Sequence, residues 1–349
     1  MPEIPRHLSK HERLATHRIV TKQGVVTLVE TLDQSRNGAV RTAVRREIER
    51  AGLDCTLAEY RSGSEVDWSG LCQAMRAEGS SRRRVEAVRD LADRFERPYP
   101  SLLRMRVDPD AELDFEPGQY VTLRTGETPR AYSLANSPTE HELEFCIRRV
   151  PGGRLTSELF DSAEEGDEVV VRGPYGEMAL SDPSQRDVAF LATGTGVAPF
   201  RSMIEHLFET GQDTVQGRTR DVWLFLGCAW ADDLLYRQWF DSLDSERDNF
   251  HFVPTLSREP LLSDWGDETD YVQQVFAKYL DAETVDLSAV PRSIRRYVGM
   301  EPVGETDRRI DPGNLDLYAC GISAMVDTLV RTARSVGVPE QHMDYEGFG

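Results

Sequence analysis

The 349-residue chain has 39% hydrophobic and 29% charged side chains, enough apolar content for two or three cored domains and too much for a disordered polymer. Its net charge of −19, with only Lys10, Lys22 and Lys278 as lysines, argues against nucleic acid as a partner. No apolar run reaches the roughly 20 residues of a bilayer span, so no membrane insertion is expected.

The charge is uneven. Residues 1–100 hold 18 basic and 15 acidic side chains and the remainder 23 and 45, a first sign of two parts with different tasks. The opening residues, Met1-Pro2-Glu3-Ile4-Pro5-Arg6, have no apolar signal core, and a cytoplasmic location is expected. A strand-like run occupies 25–29. Val40, Val44 and Ile48, with arginines between them, predict an amphipathic helix over 39–52; 68–78 and 83–95 predict two more. Residues 1–97 therefore read in two ways: a separate strand and helical region, or a first barrel strand followed by inserted helices. Arg41, Arg45, Arg46 and Arg50 recur at helical spacing, and Arg82-Arg83-Arg84 follows. They form either a docking face for an acidic partner or a solvated face paired with nearby glutamates.

After Pro98 and Pro100 the texture changes. Short alternating runs at 102–107, 120–124, 131–134, 142–148 and 168–172, separated by proline and glycine turns, predict a small antiparallel β-barrel over 98–183. From 184 to 349, apolar runs at 188–192, 222–226, 250–255 and 315–319 alternate with helical stretches, the pattern of a doubly wound parallel α/β sheet. The stretch 287–314 reads as a loop inserted in the last α/β unit. The five cysteines (Cys55, Cys72, Cys146, Cys228, Cys320) form no CxxC pair and no four-cysteine cluster. Neither an iron–sulfur domain nor a disulfide framework is expected, and no histidine spacing suggests a metal site.

The strongest chemical signal is Leu191-Ala192-Thr193-Gly194-Thr195-Gly196-Val197-Ala198-Pro199. An apolar strand runs into a glycine turn and then a helix opened by proline. Glycines admit a diphosphate close to the backbone, and helix N-terminal amides point at it. A second signal is Arg130-Ala131-Tyr132-Ser133, where alternation puts the arginine and the tyrosine on one face: a phosphate partner beside a ring for a flat heterocycle. A third is Gly152-Gly153-Arg154-Leu155-Thr156, a glycine turn opening a short helix.

Glu116-Pro117-Gly118-Gln119-Tyr120, Arg130–Ser133, Cys146-Ile147-Arg148-Arg149, Gly153–Thr156, Gly173-Pro174-Tyr175-Gly176, Gly194–Pro199 and Cys320-Gly321 follow one another in this order. Together they resemble the ferredoxin–NADP reductase family, above all its plant-type branch, over roughly residues 100–349. The resemblance implies an FAD-binding barrel and an NAD(P)-binding α/β domain. It implies Arg130 and Thr156, with Gly153, at the FAD pyrophosphate, Tyr132 against the isoalloxazine and Ser133 near flavin N5. Cys146 would also belong to the flavin site. Gly194, Thr195, Gly196 and Pro199 would shape the dinucleotide site, and Cys320 with Gly321 would border the nicotinamide. The ending Tyr345-Glu346-Gly347-Phe348-Gly349 is similar to the family's carboxylate–residue–aromatic terminus, with phenylalanine in place of tyrosine and a glycine after it. Phe348 would stack on the flavin, and Glu346 would share a proton path with Ser133.

Ser257, Arg258, Tyr271 and Gln273 stand where the family surrounds the 2′-phosphate and adenine of NADP, so NADP(H) is expected over NAD(H). Against this, Thr269 replaces a usual basic residue and has Asp267, Glu268 and Asp270 as neighbours. The implied activity takes hydride from NAD(P)H onto FAD and passes electrons singly to a ferredoxin, flavodoxin or oxygenase component. The alternatives are a diaphorase serving small acceptors, and an electron-transfer or regulatory subunit that acts only in complex through residues 1–100.

Overall fold

The computed structural model describes residues 10–62, 65–126, 128–150, 152–304 and 306–348. Among these, no helix is long and apolar enough to cross a membrane. A short helix, α1 (Lys10–Thr16), precedes strand β1 (Val20–Thr31), and helices α2 (Asn37–Arg50), α3 (Trp68–Ala77) and α4 (Arg82–Glu96) follow it. Then come β2 (Leu102–Pro109), β3 (Tyr120–Arg124), β4 (Arg130–Ser133), β5 (Leu143–Arg148), α5 (Arg154–Ser162) and β6 (Glu168–Tyr175).

Six of these strands make one antiparallel sheet in the order β4-β3-β6-β1-β2-β5. The Ala135 amide donates to the Glu144 carbonyl (2.9 Å) and nearly closes the sheet into a barrel. Alternate residues fill it: Leu103, Met105 and Val107 of β2 meet Phe145 and Ile147 of β5 and Val26 of β1. Each such buried side chain stabilises the barrel by about 2 kcal/mol. β1 lies inside the sheet, between β6 and β2, so the run expected at 25–29 is a barrel strand and α2–α4 are inserted between adjacent strands.

The inserted helices share a core of Val40, Val44, Ile48, Leu71, Met75 and Leu91. Asp67 caps α3 by accepting from the Gly70 amide (2.8 Å), and Ser81 caps α4. Although their chain belongs to the barrel, these helices pack on the second domain, where Trp230 is buried among them.

That domain consists of β7 (Asp187–Thr193), α6 (Ala198–Glu209), β8 (Val222–Cys228), α7 (Arg237–Glu246), β9 (Phe250–Leu256), α8 (Val272–Lys278), α9 (Arg292–Arg295), β10 (Leu315–Ile322), α10 (Ser323–Val336) and β11 (Met343–Phe348). Its sheet runs β9-β8-β7-β10-β11, parallel throughout, with apolar cores on both faces. The stretch 287–314, expected as an inserted loop, lies between α8 and β10, carries the short helix α9 and buries Val290, Ile294, Tyr297 and Ile310 in a core. The C-terminal residues form a fifth strand, whose alternation is masked because Tyr345 and Phe348 stay exposed.

Ion pairs fasten the insertion to the parallel-sheet domain. Arg36 donates both guanidinium nitrogens to Glu259 (2.6 and 2.7 Å), Arg94 meets Asp232 (2.6 Å) and Arg97 meets Asp233 (2.6 Å). Burial pushes the Glu259 carboxyl up, but hydrogen bonds from Arg36, Ser263 and the Ala231 amide outweigh it and hold the group below its ordinary value. Arg36→Met leaves this carboxylate, 1% exposed, without its fork. The expected loss is about 3 kcal/mol at neutral pH. A depressed carboxylate stabilises the fold above its unfolded pKa of ~4.3, and that contribution fades as pH falls through the lower folded value. Urea unfolding should therefore separate the two proteins at pH ~7 and bring them together in acid.

Candidate functional site

A cleft of about 660 Å³ opens at the C-terminal ends of β7, β8 and β9, where open parallel sheets bind ligands. After β7 the chain makes a tight turn through Gly194–Val197 and enters α6, with Pro199 in its first turn. No side-chain hydrogen bond caps that turn, and the Thr193 hydroxyl oxygen is buried at the cleft without a protein partner. The turn thus offers amides and a hydroxyl to an anionic ligand.

Gly196 has no room for a side chain: a Cβ would sit 2.6 Å from the Cys320 carbonyl carbon and 2.8 Å from Gly321 Cα. Gly321, at φ +154°, lies against Thr193, whose hydroxyl a Cβ would overlap. These two glycines let the turn and β10 meet backbone to backbone.

Of the residues predicted from sequence, Gly194, Thr195, Ser257, Arg258, Tyr271, Gln273 and Phe348 line the cleft. Gly196, Pro199 and Cys320 lie behind it, all buried. The β10–β11 register sets Glu346 opposite Cys320 and Phe348 opposite Ile322, bringing the C-terminal residues to the cleft. Burial raises the Glu346 carboxyl above its ordinary value. Burial and then the Glu346 charge raise the Cys320 thiol, and the same two causes raise the Tyr120 phenol. Tyr120 stands across the β3–β4 ladder from Ser133 and stacks on Tyr175 (5.7 Å between centroids). The barrel serine and the C-terminal glutamate thus share a neighbourhood through Tyr120, a residue that sequence reasoning quotes only within a turn motif.

On the barrel, Arg130 is exposed and donates to the adjacent Pro129 carbonyl (3.0 Å). Tyr132 is half-buried, edge-on to Phe145, and burial pushes its phenol up to about 12. Helix α5 starts at Gly153 with no side-chain cap. The Thr156 hydroxyl turns inward, accepting from the Val150 amide (3.2 Å). An exposed guanidinium, an uncapped helix N-terminus and a partly open aromatic ring suit a flavin that carries a diphosphate.

The Cys146 side chain points away from the barrel's flavin side. Period-two alternation puts Glu144, Cys146 and Arg148 on one face of β5, and that face meets the parallel-sheet domain. The Cys146 thiol donates to the Tyr236 hydroxyl (3.0 Å), which donates to Glu144 (2.6 Å). Burial pushes this thiol up to about 12. Its side chain belongs to the domain interface, and only its backbone remains for a cofactor. The same alternation carries Arg148 across to Asp233 (3.1 Å) and into the cleft. Burial pushes the Asp233 carboxyl up, but Arg148 and Arg97 outweigh it and hold it below its ordinary value. Sequence reasoning misses Arg148, Asp233 and Thr193 as site residues. Arg148 had a signal in its spacing from Cys146; Asp233 had none.

Two family profiles match the chain: Oxidoreductase FAD-binding domain over residues 100–180 and Oxidoreductase NAD-binding domain over 190–331. Among curated proteins, the chain is 30% identical over 252 residues to the phenol hydroxylase P5 protein of Acinetobacter pittii, covering 71% of this chain and 62% of that protein. It is 28% identical over 270 residues to the reductase component of propane 2-monooxygenase of Rhodococcus jostii, covering 76% and 64%. The chain thus spans less than two thirds of the length of either relative. Among solved structures, the Amycolatopsis cytochrome P450 reductase GcoB shares the fold, with a TM-score of 0.61 at 22% identity over 95% of this chain and 71% of that one.

Proposed function

The chain belongs to the ferredoxin–NADP reductase family of FAD- and NAD(P)-binding oxidoreductases, and from that premise we propose that it is a reductase component: it takes hydride from NAD(P)H and passes electrons singly to a separate ferredoxin, flavodoxin or oxygenase protein. This reading is carried by two ladder pairs, Ser133 opposite Tyr120 on the barrel and Cys320 opposite Glu346 on the parallel sheet, with the Glu346 charge felt at the Tyr120 phenol, together with a cleft floored by the glycine turn. FAD, when bound, accepts two electrons as hydride and releases them one at a time. In this reading Arg130 and the backbone amides at the start of α5, as far as Thr156, would hold its diphosphate, and Tyr132 would offer its ring to the flavin. Gly194, Thr195 and Arg148 hold the dinucleotide, Cys320 borders the nicotinamide, and Phe348 yields its place to that ring.

NADPH is the expected donor, because Ser257, Arg258, Tyr271 and Gln273 all line the cleft, with Arg258 shared between it and Asp90. An oxygenase system is the acceptor class favoured by the relatives, a phenol hydroxylase protein and a propane monooxygenase reductase. Bracing of the nucleotide domain by α2–α4 gives residues 1–100 a structural task and lends no support to a subunit that works only through them.

The test is anaerobic mixing of FAD-loaded protein with NADPH or NADH. The flavin absorbance should bleach within the mixing experiment; protein that takes up FAD and is bleached by neither nucleotide would end this reading. Glu346 supplies a second expectation. To take up a proton from the site Glu346 would have to be ionised, so turnover should fall as pH drops through its raised pKa, above the usual ~4.3. Glu346→Gln should be slower by roughly 10- to 100-fold and lose that acid limb in ferricyanide assays across pH.

A further inference from the structure

We propose that the inserted helices set the preference between the two nicotinamide cofactors, with Asp90 of α4 holding Arg258 in an ion pair and so restraining use of the 2′-phosphorylated dinucleotide. The proposal rests on the reading that NAD(P)H is the donor. Arg258 Nε lies 3.1 Å from an Asp90 carboxylate oxygen, with the two side chains 39% and 31% exposed. Arg258 lines the cleft, whereas Asp90, on the insertion, pairs with it without lining the cleft itself.

The insertion also sets where Arg258 begins. Its backbone amide donates to the Ala229 carbonyl (3.0 Å), and Ala229, Leu261 and Leu262 pack against the core of the inserted helices. The next residue, Glu259, is the one forked by Arg36. The carboxylates of Glu268 and Asp270, nearby in sequence, are instead taken up by Lys278 (2.6 and 2.7 Å). Among the described residues, Asp90 is the carboxylate in ion-pair contact with this guanidinium.

A 2′-phosphate must share Arg258 with Asp90 and accept a negative charge close by, whereas the ribose hydroxyls of NADH meet no such conflict. Burial, and the charges of Asp93 and Glu86 beside it, raise the Asp90 carboxyl; only Arg258 opposes them. A neutral amide at this position is therefore compatible with the fold.

The experiment measures kcat/KM for NADPH and NADH in the full chain loaded with FAD, together with the melting temperature. Asp90→Asn should raise the NADPH-to-NADH ratio by ~10-fold, mainly through a lower KM for NADPH, as expected for removing one charge at this range. NADH should change less than about twofold, Asp90→Glu should keep the native ratio, and adding Arg258→Ala to Asp90→Asn should cancel the gain. An unchanged ratio overturns the proposal, and a fall overturns it too, since it would mean that Asp90 orients Arg258 for the phosphate. If the unaltered protein is bleached by neither nucleotide, it is the proposed function that fails.

Discussion

A fragment comprising residues 98–349, which contains both regions matched by the family profiles, is expected to be insoluble or to unfold without a cooperative transition, and to retain no FAD. The reason is the position of β1. It pairs with β2 through seven residues, Gly24 to Thr31, and with β6 through six, Val20 to Val25. Its removal opens the barrel along two ladders at once and leaves two long inner strands as unpaired edges. Val26, 2% exposed, leaves a gap in the core against Met105 and Val171. The same cut removes Arg36 and Arg94, the ion-pair partners of Glu259 and Asp232, and leaves Asp233 with Arg148 alone. Circular dichroism melts and flavin retention on gel filtration decide the matter. A soluble, yellow fragment with one sharp transition would show that β1 is dispensable.

Gly196→Ala is expected to keep flavin bound and to slow its reduction by NAD(P)H about 100-fold, the penalty for misplacing a reacting group by roughly 1 Å. The new methyl has no space, because the backbone of Cys320 and Gly321 already fills it. Backbone cannot rotate aside as a flexible side chain does, so either the glycine turn or β10 moves. β10 carries Cys320 and, through its register with β11, Glu346 and Phe348. Gly194→Ala is the contrasting variant. There the backbone has φ +55°, but the nearest atom to a Cβ is Arg148 Nη2 at 3.9 Å. Its expected effect is confined to strain of about 1 kcal/mol, with a correspondingly milder loss of rate. Anaerobic stopped-flow reduction of the two variants separates them, and equal rates would refute the packing argument.

The insertion links these expectations. It is part of the barrel by sequence, yet its ion pairs reach the loops after β8 and β9, which line the cleft. A perturbation in α4 is thus expected at the dinucleotide site before it is felt at the flavin.

Much of the site was legible in residue order alone. The strands at 102–109, 120–124 and 187–193 follow from alternation or from continuous apolar runs bounded by turns. The glycine turn after β7 follows from strand, glycine and proline in succession, because turn chemistry is local. Other parts were not legible. Which strand pairs with β1 across the inserted residues depends on barrel closure. Whether Cys146 faces a flavin or a neighbouring domain depends on which face of β5 the second domain covers. The ordering of 343–348 depends on an open edge of β10.

Residue order was enough for a barrel followed by a doubly wound sheet and for the glycine turn, since periodicity and turns act within a few residues, and the resemblance of its motifs supplied the reductase reading and the candidate residues on the barrel. Packing was needed to place β1 inside the barrel, to turn the Cys146 side chain to the domain interface and to pair Arg258 with Asp90. Those facts rest on contacts between residues far apart in the chain, where burial, ion pairing and strand register are settled by the packing of whole elements.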